Sequence, residues 1–129
     1  MLLGPAHNAS IVATRIADCM VLAVPDDLGE DRLHQLEEVA RRCAAATTLR
    51  SMVFDMSALK YADMSEFREL MALADTVTIL GIEPLMVGLN PGIIMHWVAS
   101  GAECGRVRTY LDLADALNAL GLTVEESKP

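Results

Sequence analysis

The sequence predicts an α/β fold: a mixed, mostly parallel sheet of four to five strands with about four helices. Three observations predict it. Short apolar, β-rich runs alternate with segments whose apolar residues recur every three or four positions, the pattern of strands feeding crossover helices. The first two β-rich runs are separated by only two residues, which suits a hairpin and adds one antiparallel pair. At 129 residues, 53% of them hydrophobic, the chain can bury one core and is too short for two domains.

The elements follow in order. Residues 1–9 read as a weakly structured lead, 10–121 as the domain and 122–129 as a polar, frayed tail. Ser10 to Ile16 and Cys19 to Val24 form the predicted hairpin, turning at Ala17-Asp18; Pro25-Asp26-Asp27 ends it. The first helix is expected over Gly29 to Ala46, with Leu33, Leu36, Val39, Ala40 and Cys43 on its buried face. On its wet face Glu37 with Arg41 and Glu38 with Arg42 have the i,i+4 spacing of ion pairs. Ser51 to Asp55 is a buried strand ending in an acid. A helix from Met64 to Leu80 buries Phe67, Leu70, Met71, Ala74 and Val77, and Gly81 stops it. Leu85 to Leu89 is the next strand. Asn90-Pro91 then opens a helix, Asn as N-cap and Pro at the first position, with Ile93, Ile94, Trp97 and Val98 expected inward and Gly101 closing it. Val107 to Tyr110 is a short edge strand, and Asp112 to Leu120 the last helix.

Composition narrows the function. The net charge of −8 is the wrong sign for tracking phosphates, so neither nucleic acid nor an anionic membrane surface is an expected partner. The longest apolar runs fall well short of the ~20 residues of a membrane span. The opening Met1-Leu2-Leu3-Gly4-Pro5 lacks a basic region and a long apolar stretch, so no secretory signal is read there. Cys19, Cys43 and Cys104 are an odd count without a close pair, which suits free thiols in a reducing cytoplasm. His7, His34 and His96 are widely separated and fall into no metal-ligand spacing, so no metal and no cofactor are expected. No nucleophile elbow occurs. The Gly88-Leu89-Asn90-Pro91-Gly92 stretch lacks the lysine of a phosphate loop, and Pro91 removes a donor that such a loop would use.

The most informative stretch runs from Asp55 to Phe67. A strand ends at Asp55, a short loop carries Ser57, and a second acid, Asp63, stands at a helix start. Asp63 and Glu66 have the spacing of a capping box, with Asp in the place usual for Ser or Thr. Ser65 then falls in the first turn, its hydroxyl not needed as cap. A phosphate on it would meet the helix dipole and free N–H groups.

Taken together, Val53-Phe54-Asp55-Met56-Ser57, Asp63-Met64-Ser65 and Gly81…Val87-Gly88-Leu89-Asn90-Pro91…Gly101 resemble the STAS domain, the sulfate-transporter and anti-sigma-factor-antagonist family, over about residues 10 to 120. Leu111 to Leu117 fits that family's closing helix. The strand-Gly-x-x-Pro element is more like the stressosome scaffold proteins than the free antagonists. The resemblance implies a non-enzymatic regulatory module that binds other proteins: other STAS proteins as homo- or hetero-oligomers, and a serine kinase or anti-sigma factor. It implies Ser65 as the phosphorylation candidate, Asp55, Ser57, Asp63, Met64 and Glu66 as partner-binding residues of the loop and helix start, and Asn90, Pro91 and His96 as their counterparts around the second loop. The sequence departs from the family pattern at three of these positions. Stressosome members carry Ser or Thr where Met64 stands, free antagonists follow the acceptor with Gly where Glu66 stands, and a second Thr of the stressosome pattern is His96. Two other readings stay open: a STAS subunit of a transport or lipid-trafficking complex, and a small α/β ligand-binding domain.

Overall fold

A computed structural model of the chain describes residues 11–101 and 107–122. Their order is β1 (Val12–Ile16), β2 (Cys19–Ala23), α1 (Glu30–Ala46), β3 (Ser51–Asp55), α2 (Met64–Ile79), β4 (Glu83–Val87), α3 (Pro91–Ala99), β5 (Arg108–Tyr110) and α4 (Leu113–Ala119). The five strands form one sheet in sequence order, β1-β2-β3-β4-β5. β1 runs antiparallel to β2, with Ile16 opposite Cys19 at the turn; the other neighbours are parallel. The predicted mixed α/β sheet, its hairpin and its helices are all present. Ser10, Cys104 and His7 lie outside the described residues.

The strand order decides which face each helix covers. Every parallel step moves in the same direction across the sheet, and crossovers are right-handed in nearly all proteins, so α1, α2 and α3 must lie on one face. That face holds the larger core, in which Leu33, Leu36 and Ala40 of α1 meet Phe67, Leu70 and Val77 of α2, Trp97 of α3, and Met52, Phe54 and Met86 of the sheet. The opposite face holds a smaller core, Cys19, Val21, Val53, Leu85 and Val87 against Ala116 and Leu117 of α4. Both faces of β3 are therefore covered, which is why Met52, Val53 and Phe54 read as a continuous apolar run without alternation. Phe54 pairs with Leu22 on one side and Met86 on the other, and burying its ring contributes about 1.5–3 kcal/mol.

Local chemistry sets the boundaries. Asn90 caps α3, its Oδ1 accepting the Gly92 N–H at 2.7 Å, with Pro91 in the first turn. Asp112 caps α4 by accepting the Asp115 N–H at 2.9 Å. Gly81 and Gly101 sit in the left-handed region just past α2 and α3, where a side chain would be strained. Ala17 takes φ +55° in the hairpin, a conformation that costs a residue with a Cβ about 1–2 kcal/mol.

Three expectations are corrected. Ile94 and Val98 are not inward; α3 touches the core along one narrow stripe, Ile93 and Trp97, and leaves Ile94, Met95 and Val98 in solvent. On α1, Arg41 pairs with Glu38 at 3.2 Å and not with Glu37, while the Glu38–Arg42 pair forms at 3.8 Å. The fourth strand begins at Glu83 and ends at Val87, so Gly88 and Leu89 belong to the loop that follows.

Candidate functional site

Parallel strands put the loops that follow them at one end of the sheet, and both stretches singled out in the sequence leave that end. Past β3 the chain stays tied to β4, Met56 donating its N–H to the Val87 carbonyl at 2.8 Å. Asp55 folds its carboxylate over the turn. Its Oδ1 accepts the Ser57 N–H at 3.0 Å and the Ser57 hydroxyl as well. An Asp ending a strand is thus the acceptor that turns the loop.

Ser57 is held from the other side by Gly88. The glycine has φ +73°, and a Cβ there would lie 2.5 Å from Ser57 Oγ and 3.1 Å from its backbone nitrogen. Only a residue without a side chain lets the loops after β3 and β4 pack this closely.

The remainder of the first loop is pinned as well. Lys60 donates its N–H to the Asp26 carbonyl at 2.9 Å, and Tyr61 forms a parallel bridge with Asp27, so the loop runs beside the β2–α1 connection. Met56, Leu59 and Ala62 are buried beneath it. The segment then enters α2 through the predicted capping box. Asp63 Oδ1 accepts the Glu66 N–H at 2.8 Å, and Glu66 Oε1 accepts the Asp63 N–H at 2.9 Å. Ser65 is exposed in this first turn, and its hydroxyl makes no hydrogen bond within the described residues. Met64, next to it, is half-buried and packs on the larger core. An apolar side chain therefore anchors the helix start.

The structure brings together Asp55 and Ser57, and separately Asp63 and Glu66. Asn90 and Pro91 begin α3 just past Gly88, with Asn90 spent on capping. His96 is exposed on the second turn of α3, where its backbone carbonyl accepts the Ser100 hydroxyl at 2.9 Å.

Two structural features of this end of the fold escape sequence reasoning. Gly88 gives no sign in the sequence of what it faces. Trp97, legible only as core, donates its indole N–H to the Ala62 carbonyl at 3.1 Å and sets its ring 4.4 Å from that of Phe67 at 47°. It thereby joins α3 to the entry of α2. The thiols lie elsewhere. Cys19 starts β2 at the opposite end of the sheet, where burial pushes its pKa up, partly opposed by its hydrogen bond to Ser51. Burial likewise raises that of Cys43 on α1, against the lowering by Arg42. No group of His, Cys, Asp and Glu able to hold a metal occurs among the described residues.

The five-stranded sheet in this order carries three helices on one face and a tightly turned loop at the end of β3. Residues 10–116 match the STAS domain family. The chain belongs to that family. The RsbT co-antagonist protein RsbRD of Bacillus subtilis is 30% identical over 91 residues, 70% of this chain and 32% of RsbRD. This STAS chain therefore spans about a third of the length of that relative. An uncharacterised protein of the same bacterium, YezB, is 28% identical over 87 residues, covering 67% of this chain and 88% of YezB. Among solved structures, RsbS of Moorella thermoacetica superposes with a TM-score of 0.71 at 22% identity, covering 86% of this chain and 97% of that one. The mixed sheet and its hairpin are thus those of a STAS fold.

Proposed function

We propose that this STAS domain is a non-enzymatic regulatory module of the cytoplasm that works by protein–protein contact, as an anti-sigma-factor antagonist or stressosome-type scaffold. Its partners are other STAS proteins and a serine kinase or anti-sigma factor. The observation that carries the reading is the surface shared by α2 and α3. Ser65 stands exposed in the first turn of α2, and α3, packed on α2 through Phe67 and Trp97, presents Ile94, Met95 and Val98 to solvent. A cleft of about 400 Å³ separates the two helices, lined by Met64, Arg68, Met71 and Gly101 among others. Exposed apolar side chains on one helix, packed against a second helix that carries a modifiable hydroxyl, suit a contact that a charge can weaken. The similarity to RsbRD, a protein named for co-antagonism of RsbT, supports a signalling assembly.

A phosphate on Ser65 would add about −1.5 to −2 charges. Asp63 and Glu66 already flank the site, so the added charge repels them and makes the surface strongly negative. Phosphorylation then releases a partner and leaves the fold intact.

The test is affinity purification of the chain from its own cell extract, with phosphopeptide mass spectrometry. The expected result is recovery of STAS proteins or a serine kinase, phosphate on Ser65, and loss of the partner with Ser65→Glu. Recovery of transport or lipid-trafficking proteins alone, or unaltered partner binding by Ser65→Glu with no phosphate on Ser65, overturns it.

A further inference from the structure

The sheet has two outer strands, and they differ. β5 is three residues long, and its Arg108 is held by Glu83 of β4 at 2.8 Å. β1 is five residues long, and four of them, Val12 to Arg15, are exposed. A short outer strand resists pairing with another chain, whereas a longer one with open main-chain groups invites it.

The hairpin shows which groups are open. Its two-residue turn is closed by Ile16 and Cys19, and such a closing pair exchanges both main-chain hydrogen bonds. Alternation then bonds Thr14 with Val21 and Val12 with Ala23, and leaves the N–H and C=O groups of Ala13 and Arg15 pointing away from the sheet. The β2 side agrees. Val24 donates its N–H to Asp55 across the β3 side, so the even-numbered residues of β2 face β3 and the odd-numbered ones face β1.

Beside this edge, between β1 and α1, lies a groove of about 710 Å³ with an apolar floor that includes Ile11, Met20, Val39 and Cys43. Glu38 stands on its rim and Ala13 at its strand side. One more strand beyond β1 would close it.

We propose that two copies of this chain pair antiparallel through their β1 edges, with Thr14 at the two-fold axis, joining two five-stranded sheets into one. The proposal specifies a surface for the self-association in the scaffold reading above, and rests on that part of it. Of the registers that symmetry and the direction of the open groups allow, three keep at least three residues of β1 paired, those centred on residue 13, 14 or 15. Centring on Arg15 sets two guanidinium groups in direct opposition. Centring on Ala13 sets Arg15 opposite the apolar Ile11. Centring on Thr14 pairs Val12 with Ile16, Ala13 with Arg15 and Thr14 with itself, so the branched apolar residues meet, hydroxyl meets hydroxyl, and each Arg15 faces only a small side chain. The same register brings Arg15 of the second copy to the groove mouth, on the side of Glu38. The self-complementarity selects a second copy as occupant.

The experiment combines sedimentation with disulfide trapping of the full chain. The expected mass is that of a dimer. Ala13→Pro, which deletes an outward N–H and none that faces β2, should return it to a monomer with unchanged circular dichroism. Thr14→Cys should form a covalent dimer on oxidation, because directly opposite residues of a non-bonded pair lie within disulfide reach, and Val12→Cys should not. A monomeric wild type, a dimer that survives Ala13→Pro, or equal trapping of both cysteine variants overturns the proposal. So does a dimer that forms only after removal of residues 1–9, since that segment would then be the occupant. If Ala13→Pro fails to fold, the two cysteine variants decide alone. Partner capture by a monomeric wild type would retain the regulatory function while removing the β1 dimer; a β1 dimer that captures no partner would do the reverse.

Discussion

The indole N–H of Trp97 reaches across 35 positions of sequence to the carbonyl of Ala62, at 3.1 Å in a buried setting. This bond ties the third helix of the larger core layer to the loop that launches the second. Trp97→Phe keeps most of the packing but leaves the Ala62 carbonyl without its donor. It should lower stability by about 1–3 kcal/mol, the cost of an unsatisfied buried group. Trp97→Ala should cost about 3–5 kcal/mol. Urea denaturation of both variants checks these values, and a Trp97→Phe variant as stable as wild type would show that the hydrogen bond contributes nothing.

The capping box separates stability from regulation at adjacent positions. Asp63→Ala removes the acceptor for the Glu66 N–H and should cost about 1 kcal/mol. Ser65→Ala removes an exposed hydroxyl without a partner and should stay within about 0.5 kcal/mol of wild type. Thermal unfolding of the pair measures both values.

Gly88→Ala should be more harmful than either. Its left-handed conformation costs a residue with a Cβ about 1–2 kcal/mol, and the new atom meets Ser57 besides. Combining it with Ser57→Ala removes the nearest clash and leaves the backbone contact, so the double variant should recover part of the loss. A purely additive cycle would show that the two loops do not press on one another.

Cys19 predicts a dependence on alkaline pH. Burial raises its folded-state pKa above the ordinary thiol value of 9.0, so the folded chain holds the thiol proton where the unfolded chain has released it. Stability from this group is full below about 9.0 and falls as pH rises through the window above it. Cys19→Ala should flatten that part of the curve, measured as the urea midpoint between neutral and strongly alkaline pH.

Much of this was legible in the one-dimensional pattern because its causes are local. The box of Asp63 and Glu66, the Asn90-Pro91 start of α3 and the turn at Ala17-Asp18 depend on residues within a few positions of one another. The exposure of Ser65 follows from the same box. The reading failed where a neighbour distant in sequence decides. Ile94 and Val98 have the spacing of buried residues, but a helix of nine residues at the flank of its layer touches the core along one stripe only, so they face solvent. The half-burial of Met64 against the core beneath α2 is likewise set by neighbours distant in sequence.

The alternation of strand and helix, the helix starts and stops, the acidic net charge and the STAS pattern are all legible along the chain, since propensity, periodicity and capping act over one or two turns. Only the assembled fold shows that α4 covers the face opposite the other helices, that Gly88 must lack a side chain because Ser57 lies against it, that Trp97 is bonded to Ala62, and that β1 is an outer strand among the described residues. Each of these depends on the handedness of crossovers or on contact between segments dozens of residues apart, and such contacts exist only once the sheet has assembled.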